Sequence, residues 1–437
     1  MNQVDIRSSW RYLMLWVCSW LFFILVPGTC QAAQNALPGD DWLHAEGSHI
    51  YDRNGKEVWL TGVNWFGYNT GTNTFDGLWS GQCSMKKAVK SIADHGFNFI
   101  RVPISAELLL EWKKGSYPAA NYNVQSNPEL TGKNSQQIFD YFLSACRKNG
   151  IKVMMDIHSA ETNAFGHNVN LWYTSKISLK EYYASLEYLA KRYSRDDTIL
   201  MIDLKNEPHG KPSEGNGNFA RWDNTKRTDN WKYIAQTAAG KVLRQNPKLL
   251  VVIEGVEATP KQGAALGSLN DGDYDFNWWG GNLRGVKNYP VNLGKKQSQV
   301  VYSPHDYGPA VYAQPWFSGN FTYASLIKDC WKPNWLYIKQ ENIAPLLIGE
   351  WGGFMEGNNL RWMKCLRKLI VTQRIHHAFW CMNANSGDTG GLWLDDFSTW
   401  DVKKYRFVKK TLWQKNGKFV GLDHKVPLGK NGITLAD

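Results

Sequence analysis

Two glutamates in the sequence stand where carboxylates could act as a catalytic pair. Glu207 ends the run IDLKNEP and Glu350 lies in LLIGEWGG, each after an apolar segment and directly before a Pro- or Gly-bearing loop. Two carboxyl groups can cleave a glycosidic bond, with retention of configuration when they lie about 5 to 5.5 Å apart and inversion at about 6.5 to 9.5 Å. A third glutamate, Glu254 in VVIEGVE, stands at a similar position. On position alone, Glu254 is an alternative catalytic residue.

Polar side chains recur at the carboxyl ends of the apolar runs. In seven of eight runs these residues are Asn64 and Trp65, Arg101, Asp156 and His158, Asn206 with Glu207, His305 with Tyr307, Glu350, and Trp380 with Asn383. Any one of them could be a satisfied structural residue at the end of a strand. Their recurrence at the same end favours function, because parallel barrels build active sites where their strands end.

The elements that would position these residues follow a repeating order. Short apolar runs typical of buried parallel strands alternate with amphipathic segments such as SQQIFDYFLSACRKNG, which stops at Gly150, and LKEYYASLEYLAKRYS. The eight strand candidates are WLTGVNWFG, FNFIRVPIS, IKVMMDIHS, ILMIDLKNEP, LLVVIEGV, QVVYSPHDY, APLLIGEWGG and HAFWCMN. This order predicts an α/β fold, a (β/α)8 TIM barrel. A doubly wound sheet is disfavoured because no glycine fingerprint follows the first strand. The Asn-Gly in HIYDRNGKEVWL predicts a small β-hairpin before the barrel.

The 437 residues have the composition of a globular protein, with 43% hydrophobic and 20% charged residues. The apolar run LMLWVCSWLFFILV follows Arg7 and Arg11 and precedes Ala32 and Ala33. It is shorter than the roughly 20 residues that span a bilayer, so we expect a signal peptide over residues 1–33 and a secreted protein, extracellular or periplasmic. No linker or repeat interrupts the remainder. We therefore expect one catalytic domain over 40–405 and a tail over 406–437 without an assigned role.

Charge and cysteines exclude several classes of protein. The net charge is +11, but the lysines are scattered and no nucleic-acid motif occurs. Attraction to acidic polysaccharides around a substrate explains the basicity equally well. Five cysteines lie beyond the predicted signal peptide, an odd number, so at least one is unpaired: Cys83, Cys146, Cys330, Cys365 and Cys381. None has metal-ligand spacing, and we expect no metal and no organic cofactor.

Residues 43 to about 402 resemble glycoside hydrolase family 5, the cellulase family, and in particular its secreted bacterial endoglucanases. The resemblance rests on eleven motifs in the family's order: GVNWFGYNT, GLWS, NFIRVPIS, LWYTS, NEPH, EGV, WWGGNL, YSPHDYGP, QPWF, IGEWGG and NSGDTGG. An Asn-Glu-Pro tripeptide alone would be a weak match. Eleven motifs in order are specific.

The resemblance implies roles for individual residues. Glu207 matches the general acid/base, Glu350 the nucleophile, and Arg101 the arginine that would keep Glu350 ionised. Asn206 would bind the sugar 2-hydroxyl, and the hydroxyl of Tyr307 would orient the nucleophile. His305, His158 and Trp380 complete the family's set of eight. Four further residues match substrate-binding positions: Trp65, Trp279, Gln314 and Trp316.

The activity implied by the resemblance is that of a retaining endo-β-1,4-glucanase, acting as a monomer on β-glucan. Glu207 would begin the reaction protonated and Glu350 ionised. A mannanase, xyloglucanase or xylanase on the same fold is an alternative, and a non-catalytic carbohydrate-binding protein is a further one. Met382 departs from the aromatic residue of close relatives and would weaken a stacking platform. No carbohydrate-binding module is evident, so soluble or amorphous glucan is the expected substrate.

Overall fold

The structure is a computed structural model that describes residues 40–265 and 267–437. The predicted signal peptide, 1–33, lies outside these residues. Eight parallel strands form one sheet: β1 (Thr61–Asn64), β2 (Phe99–Ser105), β3 (Lys152–Ser159), β4 (Ile199–Asp203), β5 (Leu250–Glu254), β6 (Val300–Ser303), β7 (Leu347–Trp351) and β8 (His376–Phe379). They pair in the order β6-β5-β4-β3-β2-β1-β8-β7, and bridges from Tyr302 to Leu346 and from His305 to Glu350 link β6 to β7. The predicted (β/α)8 barrel is confirmed.

Helices lie between the strands and after β8. They are α1 (Met85–Asp94), α2 (Ala106–Lys114), α3 (Ser135–Lys148), α4 (Leu179–Arg192), α5 (Trp231–Gln245), α6 (Tyr323–Leu326), a π-helix (Ile327–Leu336), α7 (Tyr337–Gln340), α8 (Gly357–Gln373) and α9 (Val402–Val408). Asn134 and Ser178 begin α3 and α4 with capping boxes, which satisfy two amides at each helix start. The chain leaves α3 through Gly150 at φ +69°, as its glycine predicted.

The predicted β-hairpin at Asn54-Gly55 is confirmed. Across this turn the Asp52 amide donates to the Lys56 carbonyl at 3.0 Å, the Val58 amide donates to the Ile50 carbonyl at 3.0 Å, and Glu57 bridges Tyr51. A further strand, Leu43–Glu46, also pairs with His49–Asp52, and the two are joined through Gly47 at φ +55°.

Every residue of the eight barrel strands is buried. Parallel sheets covered on both faces have this property, and it explains the unbroken apolar runs of the sequence. The polar residues within the strands must therefore find partners inside the protein. Three of them, Arg101, Asp203 and Glu254, do so at the carboxyl end of the barrel.

At the amino end, the buried Lys152 of β3 joins the barrel to segments outside it. Its Nζ lies 2.5 Å from Asp41 and 3.1 Å from Asp423 in the tail. His424 bridges Asp41 at 2.5 Å and Asp52 at 2.9 Å. Residues of 406–437 thus pack against the bottom of the barrel, where they add the short strands Gln414–Lys415, Lys418–Val420 and Gly432–Ile433.

Two further observations concern the sequence-based expectations for cysteines and membranes. Within the described ranges all five cysteines are free thiols. Those ranges contain no helix with the length and apolar character needed to cross a bilayer.

Candidate active site

Arg101 is the centre of the charged network at the carboxyl end of the barrel. Its Nη1 donates to Glu350 Oε1 at 2.7 Å and to Asn64 Oδ1 at 3.1 Å, and its Nη2 donates to Asn206 Oδ1 at 3.0 Å. Three more carboxylates lie 3.0 to 3.2 Å from Nη2: Asp156, Asp203 and Glu254. Burial opposes its charge, but these carboxylates raise the pKa of Arg101 well above its ordinary value. The guanidinium is therefore a permanent cation beneath the site.

Glu350 at β7 has both carboxylate oxygens occupied. Oε1 accepts from Arg101, and Oε2 accepts from the Tyr307 hydroxyl at 2.5 Å. The side chain is 4% exposed. Its two donors, one on each oxygen, fix its orientation, as an attacking group requires.

Glu207 lies in the loop after β4, where its backbone contacts Glu254 and its side chain contacts His305. Its backbone has φ +49°, and its amide donates to Glu254 Oε2 at 2.7 Å. His305 Nδ1 lies 3.0 Å from Glu207 Oε1. One carboxylate oxygen of Glu207 and one of Glu350 lie within 4.8 Å of each other.

The pKa values of the two glutamates shift in opposite directions. Burial acts to raise the pKa of Glu207, but the hydrogen bond and charge of His305 outweigh this effect and lower the pKa to about 2. Burial raises the pKa of Glu350 in spite of His305 and Arg101. Although burial disfavours its charge, the pKa of His305 is raised well above its ordinary value by Glu254 and Glu350. These directions favour a charged His305 beside an ionised Glu207, and the protonated Glu207 of the expected mechanism stays a prediction.

His158 and Trp380 form one wall of the site. His158 Nδ1 lies 2.7 Å from Asp156 Oδ2, and its ring stacks on Trp380 with centroids 5.8 Å apart. Trp380 also stacks on Phe66 at 5.5 Å, and its indole donates to Ser386. Because Asp156 contacts Arg101, all eight residues of the predicted set belong to one connected network.

Two of the predicted substrate-binding tryptophans are partly exposed. Trp279 lies against His209 with ring centroids 3.7 Å apart, so one face of the indole is covered. Trp316 packs edge-on against Trp278, whose ring in turn meets Tyr307 at 6.1 Å. Gln314 lies two residues before Trp316 and is partly exposed. These side chains lie on the loops after β5 and β6.

Trp65 is placed differently from its prediction. It is fully buried, stacks on Phe75 at 4.0 Å, and donates its indole N–H to the Asp76 carbonyl. Its side chain therefore belongs to the core and does not line the cleft, because it points between the barrel and the loop after β1. Met382 is also fully buried and presents no platform of its own.

Sequence reasoning missed or discounted three residues of the network. Asp203 was not selected although it ends β4, and Glu254 was retained only as an alternative. His209 was not selected either, yet its Nδ1 lies 2.6 Å from the Glu207 carbonyl oxygen. Asp203 and Glu254 could have been selected by their position in the sequence, because both end barrel strands.

Two groups of side chains have the proximity that metal ligation requires: Asp203 with Glu254 and His305, and Glu207 with His305 and Glu350. Arg101 contacts three of these carboxylates. A second cation there would have to compete with a guanidinium that already neutralises the cluster. The arrangement favours proton transfer and nucleophilic attack.

An eight-stranded barrel that holds two carboxylates this close at the carboxyl ends of its strands has the architecture of a glycoside hydrolase. The chain belongs to the cellulase family, glycosyl hydrolase family 5, whose family model matches residues 51–386. It is therefore a glycoside hydrolase.

Relatives and solved structures agree with this assignment. The chain is 49% identical to Endoglucanase G of Acetivibrio thermocellus, over 94% of this chain and 78% of that protein. It is 43% identical to Endoglucanase B of the same organism, over 94% and 80%. A hyperthermophilic endocellulase from Pyrococcus horikoshii superposes with a TM-score of 0.76 at 31% identity, covering 86% of this chain and 99% of that one. A variant of that endocellulase has been solved with cellotetraose.

Proposed function

We propose that the protein is a secreted, retaining endo-β-1,4-glucanase that cleaves internal bonds of cellulose or a related β-glucan. The observation that carries this proposal is the pair Glu207 and Glu350, with carboxylate oxygens within 4.8 Å and different partners. Glu350 accepts hydrogen bonds from Arg101 and Tyr307, whereas Glu207 faces His305. A pair with two environments suits two chemical roles.

In the first step Glu350 attacks the anomeric carbon while the glycosidic C–O bond breaks. Glu207 gives a proton to the departing oxygen, which leaves as the hydroxyl of the product. Because His305 holds the pKa of Glu207 low, Glu207 must receive a proton before this step. The contact of 3.0 Å between His305 Nδ1 and Glu207 Oε1 provides the route.

In the second step Glu207 takes a proton from water as the water oxygen attacks the anomeric carbon. The ester bond to Glu350 breaks and the carboxylate returns to Arg101 and Tyr307. Two inversions leave the β-configuration retained. Asn206, held by Arg101 at 3.0 Å, is the candidate donor to the sugar 2-hydroxyl.

The choice of β-glucan rests on the relatives and on the aromatic side chains. Both Acetivibrio relatives are endoglucanases. Trp279, Trp316 and Trp380 are partly exposed and could stack on the apolar faces of sugar rings. Secretion rests on the predicted signal peptide and on the 32% identity to the major extracellular endoglucanase of Xanthomonas campestris over 84% of the chain. We further propose a monomer in which residues 40–405 form the catalytic domain and 406–437 cover the amino end of the barrel.

Hydrolysis of a panel of soluble polysaccharides tests the substrate. We expect cleavage of carboxymethylcellulose and barley β-glucan, with viscosity falling faster than reducing ends appear. Hydrolysis of mannan or xylan with no action on either glucan would instead establish one of the same-fold alternatives. Stereochemistry is tested by NMR of cellopentaose products, where a β-anomer should appear first. An initial α-anomer would contradict the retaining assignment.

A further inference from the structure

Glu254 occupies the end of β5 and contacts three residues of the site without reaching the cleft. Its side chain is 0% exposed. Oε2 accepts the backbone N–H of Glu207 at 2.7 Å, and Oε1 lies 3.1 Å from His305 Nε2 and 3.2 Å from Arg101 Nη2. A fully buried carboxylate cannot touch a sugar. Any part it has in the reaction must act through these three neighbours.

Gly280 leaves space for the Glu254 carboxylate, and two hydrogen bonds hold the backbone of Glu254 and the next residue. A Cβ on Gly280 would lie 2.1 Å from Glu254 Oε2, so no larger residue fits there beside it. The Trp231 indole donates to the Glu254 carbonyl at 2.8 Å, and the next residue, Gly255, donates to the Gly280 carbonyl at 2.7 Å. The carboxylate therefore has a defined position.

The first connection is to the backbone of Glu207. At φ +49° this residue has the left-handed conformation, which costs a non-glycine residue roughly 1 kcal/mol or more. A hydrogen bond from its amide to a charged acceptor is a strong one. Glu254 thereby holds the loop conformation that directs Glu207 towards His305 and Glu350.

The second connection is electrostatic. His305 Nε2 has no well-aligned hydrogen bond, but it lies 3.1 Å from Glu254 Oε1, which is an ion-pair distance when the ring is protonated. The charged groups that face His305 or Glu254 are Glu207, Glu350, Arg101, Asp203, Asp156 and Lys205. Of the carboxylates, Glu254 is the one paired with Nε2, on the far side of the ring from Glu207. Burial raises the pKa of Glu254 itself to about 7, against the effect of His305.

We propose that Glu254 is a positioning residue, which fixes the backbone of Glu207 and keeps His305 as the imidazolium whose Nδ1 faces the two catalytic carboxylates. This inference deepens the proposed function and rests on it for its catalytic consequence. The charge of Glu254 matters as well as its shape, because a neutral side chain of the same size would not support a protonated His305.

The test uses Glu254→Gln in the full-length protein. We expect kcat on barley β-glucan to fall about 10²-fold, a typical cost of misplacing a catalytic group, with KM unchanged. Loss of the imidazolium would raise the pKa values of Glu207 and Glu350 and move both limbs of the pH–rate profile to higher pH. NMR titration of histidine-labelled protein, with the His305 resonance assigned by comparison with His305→Asn, should show a lower pKa for His305.

Two matched variants accompany it. Glu257→Gln removes a carboxylate three residues along the chain that accepts the amide of Gly210 at 2.9 Å, and it should leave kcat and the His305 titration as in the wild type. Glu254→Asp keeps the charge, so His305 should stay protonated at neutral pH even if kcat falls. This variant also serves if the Gln protein fails to fold.

The proposal is overturned if Glu254→Gln leaves the titration of His305 unchanged, whatever happens to kcat, or if the Asp and Gln variants lower the pKa of His305 equally. The titration does not depend on turnover. A wild-type protein inactive on every glucan would reject the proposed function, while the His305 titration would still decide the role of Glu254.

Discussion

The barrel buries a cation near each end, and the two clusters use their carboxylates differently. Lys152 at the amino end is 2% exposed and lies 2.5 Å from Asp41, 3.1 Å from Asp423 and 3.8 Å from Asp197. Arg101 at the carboxyl end is fully buried and contacts four carboxylates at 2.7 to 3.2 Å. Both clusters place one cation among several acids.

The two clusters differ in which parts of the chain supply their acids and in the pKa values of those acids. The partners of Lys152 come from segments outside the barrel strands, so the cluster ties the two ends of the described chain to the barrel. Lys152 and His424 lower the pKa of Asp41 to about 2 against the effect of burial. Around Arg101, burial instead raises the pKa values of Asp156 and Glu254 to about 7. At the amino end burial also raises the pKa of Asp197, against the effect of Lys152, so the contrast is between Asp41 and the acids around Arg101. An ionised pair such as Lys152 and Asp41 acts as a clamp, whereas acids that exchange protons near neutrality suit catalysis.

The largest effect should follow from breaking the pair at the carboxyl end. We expect Glu350→Gln and Glu207→Gln each to lower kcat on soluble β-glucan about 10⁴-fold or more, as the loss of a central catalytic group does, with the unfolding transition retained. Glu257→Gln is the control. With an activated aryl cellobioside and azide, Glu207→Ala should form the β-glycosyl azide and Glu350→Ala the α-azide. Exchanged products would reverse the two roles.

The clamp at the amino end should respond in stability rather than in turnover. Lys152→Met leaves Asp41 and Asp423 buried without their cation, and removal of one partner of a buried pair costs about 3 to 5 kcal/mol. We expect that loss in the free energy of unfolding measured with denaturant, and an unchanged kcat at 25 °C. Lys90→Met, which removes a surface pair with Asp94, should cost about 0.5 kcal/mol or less. Equal losses in the two variants would refute the clamp.

A smaller effect concerns pH and the same clamp. The pKa of Asp41 is about 2 in the folded protein against an ordinary value of 3.8, so its stabilisation is complete above pH 4 and is lost as the pH falls towards 2. The shift corresponds to about 2 kcal/mol. Denaturant unfolding of wild type and Asp41→Asn should show a stability difference that narrows as the pH falls from 5 to 2.5. A difference independent of pH would contradict this linkage.

A further comparison separates two tryptophans that were both predicted to bind substrate. Trp279→Ala should raise KM for cello-oligosaccharides by up to about tenfold, which is about 1.4 kcal/mol, with the free energy of unfolding nearly unchanged. Trp65→Ala should behave in the opposite way, with a loss of about 3 to 5 kcal/mol in stability from the core. A raised KM for Trp65→Ala in a stable protein would return this residue to the cleft.

Much of the fold could be predicted because its determinants are local. Buried parallel strands have unbroken apolar runs, and helices such as α3 and α4 carry their capping residues within the same segment. The eight strands and the barrel therefore follow from the sequence. The same is true of the residues selected for the site, because barrel strands bring their carboxyl ends together. The hairpin at Asn54-Gly55 follows from its turn dipeptide, whereas the strand Leu43–Glu46, which also pairs with His49–Asp52, was not predicted.

The tertiary structure alone decided which residues face each other and which are removed from water. Trp65 and Trp279 both occur in matched motifs, yet only the packing around them buries one and leaves the other partly exposed. The tail has no informative motif, and only its contact with Lys152 reveals where it packs. Above all, the sequence identified Glu207 and Glu350 as a pair but not the opposite directions in which their pKa values shift. Burial and the charges of His305 and Arg101 set these shifts, because desolvation and Coulomb interactions depend on neighbours brought together from distant strands.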